Sequence, residues 1–366
     1  MAGWLGITQG QLSRIENGHS RIRDLDKLTR YACALGVPSE LLWFDIDPPE
    51  QPRQAVSGPL RLRSGLVAAP RAAEPVLLDS LQATLEEYVR ADNVVGPQPL
   101  LAIVTQQVHF VERLERASRG HSQARLRVLH ARFAEFLGWL HQDAGNLKAA
   151  FAWTDIAAGL ARDTASSRLL SYVQMRQSNL AADSGKPQTT IALARAALDT
   201  AADLTAHQRA TALRQLAHGH ARLGDTAATM RALDQALQQV VRSEADADDL
   251  AGYCTPEFIA MEAASCLIEL GLPEQAITAL EPRLPHWQPE NRRDLGRGLA
   301  LLALALARAG QPDEALDVAT HALPIVSATH STRTEYQLYR VVRELQEHDA
   351  PDHSARLRIA ARTTLG

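Results

Sequence analysis

The chain has 366 residues, a formal net charge of −4, 46% hydrophobic residues and 5% aromatic residues. This length exceeds that of one compact core, so two domains, or a domain with a repeat array, are expected. The charge excludes a basic field over the whole surface, so any contact with DNA must be local. Abundant alanine and few aromatics favour closely packed helices over a β-sandwich.

Cysteine usage and hydrophobicity predict a cytoplasmic protein. Cys33, Cys254 and Cys266 are far apart and lack the spacing of a zinc site or a disulfide framework, so we expect reduced core thiols. The longest apolar run, from Gly298 to Ala307, is about half of what a bilayer crossing needs. No secretory signal pattern is recognisable. The sequence therefore predicts a protein with no membrane span and no cofactor.

The chain divides into three stretches of different character. Residues 1–46 are helical in pattern and rich in turn signals. Residues 47–75 carry six prolines without an apolar period, which predicts an extended linker. Residues 76–366 alternate amphipathic helices with short turns, which predicts an all-α repeat domain.

The third stretch repeats itself at regular intervals. Helix-ending glycines mark hairpin turns at Gly145-Asn146, Gly185-Lys186, Gly224-Asp225, Gly271-Leu272 and Gly310-Gln311. Subtraction of the glycine numbers gives spacings of 40, 39, 47 and 39 residues. Glycine supplies the left-handed residue that ends a helix, and a proline soon afterwards suits the start of the next one, as at Pro187, Pro273 and Pro312.

A small residue follows three of the glycines at the point where two helices of a hairpin would cross: Ala150, Ala276 and Ala315. The segments 271–276 and 310–315 resemble tetratricopeptide repeats, although the period is longer than the standard 34 residues. The resemblance implies an α-solenoid of tetratricopeptide-like hairpins, stacked into an open curve with a concave inner surface. Such a surface would bind a peptide or protein ligand; a dimerisation scaffold is the alternative.

The N-terminal stretch carries a second pattern, LGITQGQLSRIENG at positions 5–18. Gly6 ends one helix, and Thr8 caps a new helix whose first turn begins at Gln9. Leu12 and Ile15 face inward, which leaves the polar residues between them facing solvent. Further apolar positions follow in 25–42.

These residues resemble the second half of an Xre/Cro/C1-type helix-turn-helix domain, in which the helix after the Gly-x-Thr turn is the recognition helix. The resemblance implies that Gln9 and Arg14 reach base edges, with Gln11, Ser13 and Asn17 as secondary contacts. Thr8 at the helix N-terminus, and His19, Arg21 and Arg23 in the next loop, would contact phosphates. The alternative for the arginines is an ordinary solvated surface.

The first helix of that domain is missing from the sequence, which starts Met1-Ala-Gly-Trp. Two interpretations follow. Either the true start lies upstream, or the product is a shortened form that binds DNA weakly because its small core lacks a packing partner.

Other constellations carry weaker signals. No nucleophile-elbow, Walker or dinucleotide pattern occurs, so we expect no enzyme, and a metal-dependent hydrolase is a weak third hypothesis.

His218 and His220 are expected on different sides of one helix. The acidic run ending at Asp249 predicts a solvated loop. Trp139, Phe151 and Trp153 could line the groove or belong to the core.

Together the two patterns predict a DNA-binding transcriptional regulator. Its repeat domain would receive a peptide or protein signal and change how a homodimer presents its recognition helices to a palindromic double-stranded DNA operator. The alternative is an interaction scaffold that does not bind DNA.

Overall fold

The computed structural model describes residues 75–241, 249–348 and 350–365, together with Gln9, Gly10, Ser13 and Asn17. The chain forms two compact units, Met1–Arg63 and Ser64–Gly366. In the first unit Gln9, Gly10 and Ser13 are helical and Asn17 lies in a turn. The predicted linker lies almost wholly outside the described residues.

The second unit is helical throughout its described residues. Its α-helices are α1 (Pro75–Val95), α2 (Gln98–Ala117), α3 (Gly120–Asp143), α4 (Leu147–Arg162), α5 (Ser167–Asp183), α6 (Pro187–Thr200), α7 (Ala206–Arg222), α8 (Thr226–Val241), α9 (Pro256–Glu269), α10 (Pro273–Leu280), α11 (Arg292–Arg308), α12 (Pro312–Thr329), α13 (Thr332–Glu347) and α14 (Pro351–Leu365). A 3₁₀-helix, Glu281–His286, follows α10. None of these helices is long and apolar enough to span a membrane.

The five predicted hairpin turns are confirmed. The glycines at positions 145, 185, 224, 271 and 310 all have positive φ, between 69° and 81°. Pro187, Pro273 and Pro312 each begin the next helix, where the missing backbone N–H removes no hydrogen bond. These turns produce the hairpins α3–α4, α5–α6, α7–α8, α9–α10 and α11–α12.

Small side chains let the two helices of a hairpin approach closely. Ala150, Ala276 and Ala315 are fully buried at the predicted crossing points. Successive hairpins stack in two ways: the second helix of one hairpin contacts the first helix of the next, as α4 with α5 and α6 with α7, and neighbouring first helices also touch, as α5 with α7 and α9 with α11. The result is a two-layer α-solenoid, as the sequence predicted.

The array closes on itself, which the sequence analysis did not anticipate. Helix α1 contacts α11 and α12, near the far end of the stack. The approach is close: a Cβ atom added to Gly96 would lie 1.6 Å from the backbone oxygen of Thr329. The predicted open curve is therefore a closed turn of superhelix.

The apolar core forms separate clusters along the array. The largest extends from α7 to α14, and a second joins α1, α2 and α3; these two share no residue. Cys254 and Cys266 are free and buried, as predicted, whereas Cys33 lies outside the described residues.

Candidate ligand-binding cavity

The curved array surrounds a central cavity of about 880 Å³ that is partly open to solvent. Its walls carry an unusual density of charge: among the described residues eight arginines and seven carboxylates line it. The arginines are Arg90, Arg132, Arg168, Arg176, Arg214, Arg293, Arg297 and Arg333, and the carboxylates are Glu86, Asp92, Glu135, Asp203, Asp249, Glu262 and Asp294.

The first helix of each hairpin supplies the wall. In α3, Arg132, Glu135, Phe136 and Trp139 recur at helical spacing on one face, and α5 does the same with Leu169, Tyr172, Arg176 and Asn179. The second helices, α4, α6, α8, α10 and α12, contribute no lining residue. The inner layer therefore carries the candidate site, and the outer layer supports it.

Trp139 lies at the centre of one wall. The guanidinium carbons of Arg176, Arg293 and Arg333 lie 4.7, 4.6 and 5.4 Å from its ring centroid, within the range of cation–π attraction. Its indole Nε1 donates a hydrogen bond of 2.8 Å to Asp92 Oδ2. We call these five residues the Trp139 cluster. They join α1, α3, α5, α11 and α13.

Each arginine of the Trp139 cluster is also paired with a carboxylate. Arg176 Nε donates to Glu135 Oε1 at 2.7 Å, and burial raises the pKa of Glu135 although Arg176 opposes the shift. Arg293 pairs with Asp92, and Arg333 Nε lies 3.1 Å from Asp183 Oδ2. These pairs satisfy charges that would be costly to bury alone.

Polar contacts join the two ends of the array, and we call this set the closure interface. It consists of Asp92 with Arg293, Asp183 with Arg333, and Asp143, whose Oδ1 accepts a hydrogen bond of 2.7 Å from Ser331 Oγ. Burial raises the pKa of Asp143 to about 6, against the opposing effects of Arg333 and Ser331. Ion pairs and hydrogen bonds thus help to hold the ends of the superhelix together, beside the close packing of Gly96 against Thr329.

Another part of the wall combines aromatic rings with a second charged group. Phe258 and Tyr253 pack edge to face, with ring centroids 5.2 Å apart and an interplanar angle of 81°. The Arg214 guanidinium carbon lies 5.1 Å from the Phe258 centroid. Burial raises the pKa of the Tyr172 hydroxyl, which also lines the cavity, so it remains neutral and can donate or accept hydrogen bonds.

Several polar atoms in the wall lack a partner. Asp92 Oδ1, Asn93 Oδ1 and Arg214 Nε are buried without a hydrogen bond in the described residues. Asn179 Oδ1 accepts from both Gln142 and Arg176, at 2.8 and 3.1 Å. The described part of the wall therefore contains both paired and unpaired polar atoms.

The predicted DNA-contacting residues fall in the first unit. Gln9 and Ser13 are helical and exposed, and Asn17 is exposed in a turn, where its side-chain amide donates to the Ser13 carbonyl at 2.8 Å. The other predicted contacts, Thr8, Gln11, Arg14, His19, Arg21 and Arg23, lie outside the described residues. Their roles remain predictions.

Two sequence interpretations need a decision from the structure. Of the three aromatics, Trp139 lines the cavity, whereas Phe151 and Trp153 are not among the lining residues. The prediction of a solvated loop is wrong at Asp249: its side chain is only 5% exposed, because Thr205 and His207 bind its two oxygens.

Sequence analysis missed the buried arginines. In the sequence of a single helix, an arginine is expected on the solvent-exposed face. Only the tertiary structure shows that these arginines face the central cavity. A usable signal was present in the repeated polar residues within otherwise apolar first helices, such as Arg176 and Asn179 in α5 and Glu262 in α9.

Comparison with solved structures agrees with this architecture. The chain is similar to the Rap protein of Bacillus, solved as a complex with Competence and Sporulation Factor, with a TM-score of 0.53 and 13% identity. The match covers 80% of this chain and 87% of that chain. The fold is a tetratricopeptide-like helical solenoid. BtubC from P. vanneervenii also matches, with a TM-score of 0.44 and 17% identity over 63% of this chain and 91% of that chain.

No protein-family model and no curated protein matches the sequence. The structural similarity at these identities concerns the fold alone. Function has to be argued from the cavity.

Proposed function

We propose that the repeat domain binds a short peptide in the central cavity and that the chain acts as a regulator. The observation that carries the proposal is the central cavity of about 880 Å³ with its charged and aromatic wall. Its size falls within the range of roughly 300–1,000 Å³ that is usual for ligand sites.

The chemistry of the wall suits a peptide. A peptide backbone alternates donors and acceptors, and polar side chains that line the cavity, such as those of Asn93 and Tyr172, can form hydrogen bonds with it. The charged residues of both signs and the aromatic rings can receive its side chains. The similar Rap protein was itself solved with a bound factor, which supports this choice of ligand class.

For the first unit we propose binding to an operator in double-stranded DNA. The support is the motif at positions 5–18 and the exposure of Gln9 and Ser13 on a helical segment. A palindromic operator would be read by a homodimer, with half-sites about one helical turn apart. Peptide binding would then change the affinity for the operator. We propose binding and regulation, with no catalytic step.

Peptide binding is tested by affinity selection. The purified chain is incubated with a soluble pool of random hexapeptides and separated by size exclusion, and retained peptides are identified by mass spectrometry and measured by calorimetry. We expect specific retention and a loss of affinity of at least about tenfold in Trp139→Leu, because the Trp139 cluster loses its central ring.

Trp153→Leu is the matched control, because Trp153 packs in the core and does not line the cavity. It should keep the affinity. Retention of no peptide, or equal affinity in both variants, would overturn the assignment of the cavity.

DNA binding is tested by selection of random duplexes followed by a gel-shift assay at stated salt. We expect an enriched palindrome and a loss of roughly 1–3 kcal/mol in Arg14→Ala, the value of a bidentate base contact. If no duplex is enriched, the alternative of an interaction scaffold without DNA binding replaces this part of the proposal.

A further inference from the structure

A single buried carboxylate in the cavity wall is surrounded by three cations. Glu262 is 1% exposed; Arg297 Nη1 lies 2.7 Å from its Oε1, His218 Nε2 lies 2.5 Å from its Oε2, and Arg214 Nη1 lies 3.3 Å from Oε1. We call these four residues the Glu262 cluster. They come from α7, α9 and α11.

The Glu262 cluster carries an excess of positive charge. Burial alone would raise the pKa of Glu262, but Arg297, Arg214 and His218 hold it well below its usual range. Burial alone would lower the pKa of His218, but its contacts with Cys266 and Glu262 raise it to about 10. Two buried guanidiniums, those of Arg214 and Arg297, therefore face the single carboxylate of Glu262, with His218 as a further basic group beside it.

The neighbouring carboxylates do not remove this excess, because each has a closer partner. Asp183 accepts from Gln142 at 2.6 Å and pairs with Arg333. Asp294 lies 3.5 Å from Arg293 Nε. Asp249 is bound to Thr205 and His207.

Arg214 has fewer hydrogen-bond acceptors around it than its guanidinium group can use. Its side chain is 3% exposed, its Nε has no hydrogen bond within the described residues, its Nη2 has the weak acceptor Met175 Sδ at 3.9 Å, and the Tyr253 hydroxyl is its other neutral partner. Both Arg214 and Arg297 line the cavity. A guanidinium buried this deeply gains from a second carboxylate, which it can bind through two N–H groups.

The surroundings fit an anion attached to an apolar group. Phe258 lies under Arg214, and Tyr253 packs against Phe258. A carboxylate that reaches Arg214 and Arg297 would place the adjoining carbon atoms against these rings.

We propose that the cavity recognises its peptide through a carboxylate of the ligand, bound between Arg214 and Arg297 beside Glu262. This inference rests on the proposed peptide-binding function. The carboxylate can be the C-terminus of the peptide or an aspartate or glutamate side chain.

Four hexapeptide pools separate these sources: free acid or C-terminal amide, each with or without Asp and Glu. We expect the amide pool without acidic residues to bind roughly 10- to 100-fold more weakly than the others, the effect of losing a charge-assisted hydrogen-bonded pair. A loss on amidation alone identifies the C-terminus, and rescue of the amide pool by acidic residues identifies a side chain.

The outcomes distinguish the two proposals. Equal affinity of all four pools would overturn the carboxylate site while peptide binding stands. Retention of no pool would overturn both.

A pair of arginine variants tests the location. Arg297→Gln should remove the preference for carboxylate pools, and Arg297→Lys should restore part of it, because the charge returns without the bidentate geometry. Arg90→Gln is the matched control, since Arg90 lines the cavity but pairs with Glu87 on the exposed surface. An unchanged preference in Arg297→Gln, or its loss in Arg90→Gln, would contradict the site. If Arg297→Gln does not melt cooperatively, the pool comparison on the unmodified chain still decides the proposal.

Discussion

The hairpins and the closure interface hold the same superhelix together by different means. Within the hairpins, Ala150, Ala276 and Ala315 are fully buried and let apolar faces pack without gaps. At the closure interface, the apolar clusters of the two ends share no residue, and Asp92, Asp143 and Asp183 make the polar contacts.

The difference indicates which contact can change. Apolar packing is insensitive to pH and salt and is lost only when water enters the core. A polar contact can be exchanged for water or for a ligand at a much smaller net cost. We therefore expect the closure interface to separate more readily than the hairpins, which should remain intact.

The largest expected effect comes from the hairpin core. Leu304→Ala removes a fully buried side chain from the largest cluster and should lower the free energy of unfolding by roughly 2–5 kcal/mol. Denaturant unfolding measures it. Leu223→Ala, at a side chain 48% exposed, should change the value by less than about 0.5 kcal/mol. Equal losses in both variants would contradict the distinction between core and surface in the hairpins.

Two glycine-to-alanine variants separate the contribution of the closure interface from that of backbone strain. Gly96 and Gly185 have φ values of 72° and 69°, so alanine strains both equally, but only at Gly96 would the new Cβ meet the Thr329 backbone. We expect Gly96→Ala to cost roughly 1–3 kcal/mol more than Gly185→Ala.

Amide hydrogen exchange shows which helices lose local stability in Gly96→Ala. In Gly96→Ala, protection should fall in α1 while α7 and α8 keep theirs. Uniform loss of protection would mean that the ring cannot open locally.

Titration of Asp143 should make the free energy of unfolding depend on pH. The pKa of Asp143 is raised from 3.8 to about 6, so the folded chain holds this proton more tightly than the unfolded chain. Its contribution is fully present below the unfolded value and is lost as pH rises through about 6, by roughly 1–3 kcal/mol.

Asp143→Asn keeps an oxygen for Ser331 and removes the titration. We expect the variant to be more stable than the parent at pH 8 and little different at pH 4, as measured by thermal unfolding across that range. A difference between the two chains that is constant with pH would contradict the assignment to Asp143.

Local signals predicted the hairpins well. Each glycine turn depends on backbone freedom at one residue, and each following proline on a missing N–H, so neighbours in sequence suffice to identify them. The apolar period of the helices predicted the solenoid for the same reason, because it too depends on residues that are close in sequence. The N-terminal motif was recognised equally locally, but its nine proposed contact residues remain predictions.

The site was predicted only in outline. A concave surface followed from stacking, and Trp139 was one of three candidate aromatics. Arg176, Arg214 and Glu262 were not identified as site residues. Each is buried in an ion pair with a partner about 35–48 residues away in the sequence, as Glu262 is with His218 and Arg297, and no local pattern shows such a pair.

The sequence by itself determined the helices, their turns and the order in which they stack, because those depend on contacts within one hairpin or with the next. Only the tertiary structure decided that the two ends meet, with Asp92 of α1 against Arg293 of α11, 201 positions later. Small rotations between successive hairpins add up along the array, and no local pattern fixes their sum. That sum turns a groove into a central cavity, partly open to solvent, and brings its buried charges together.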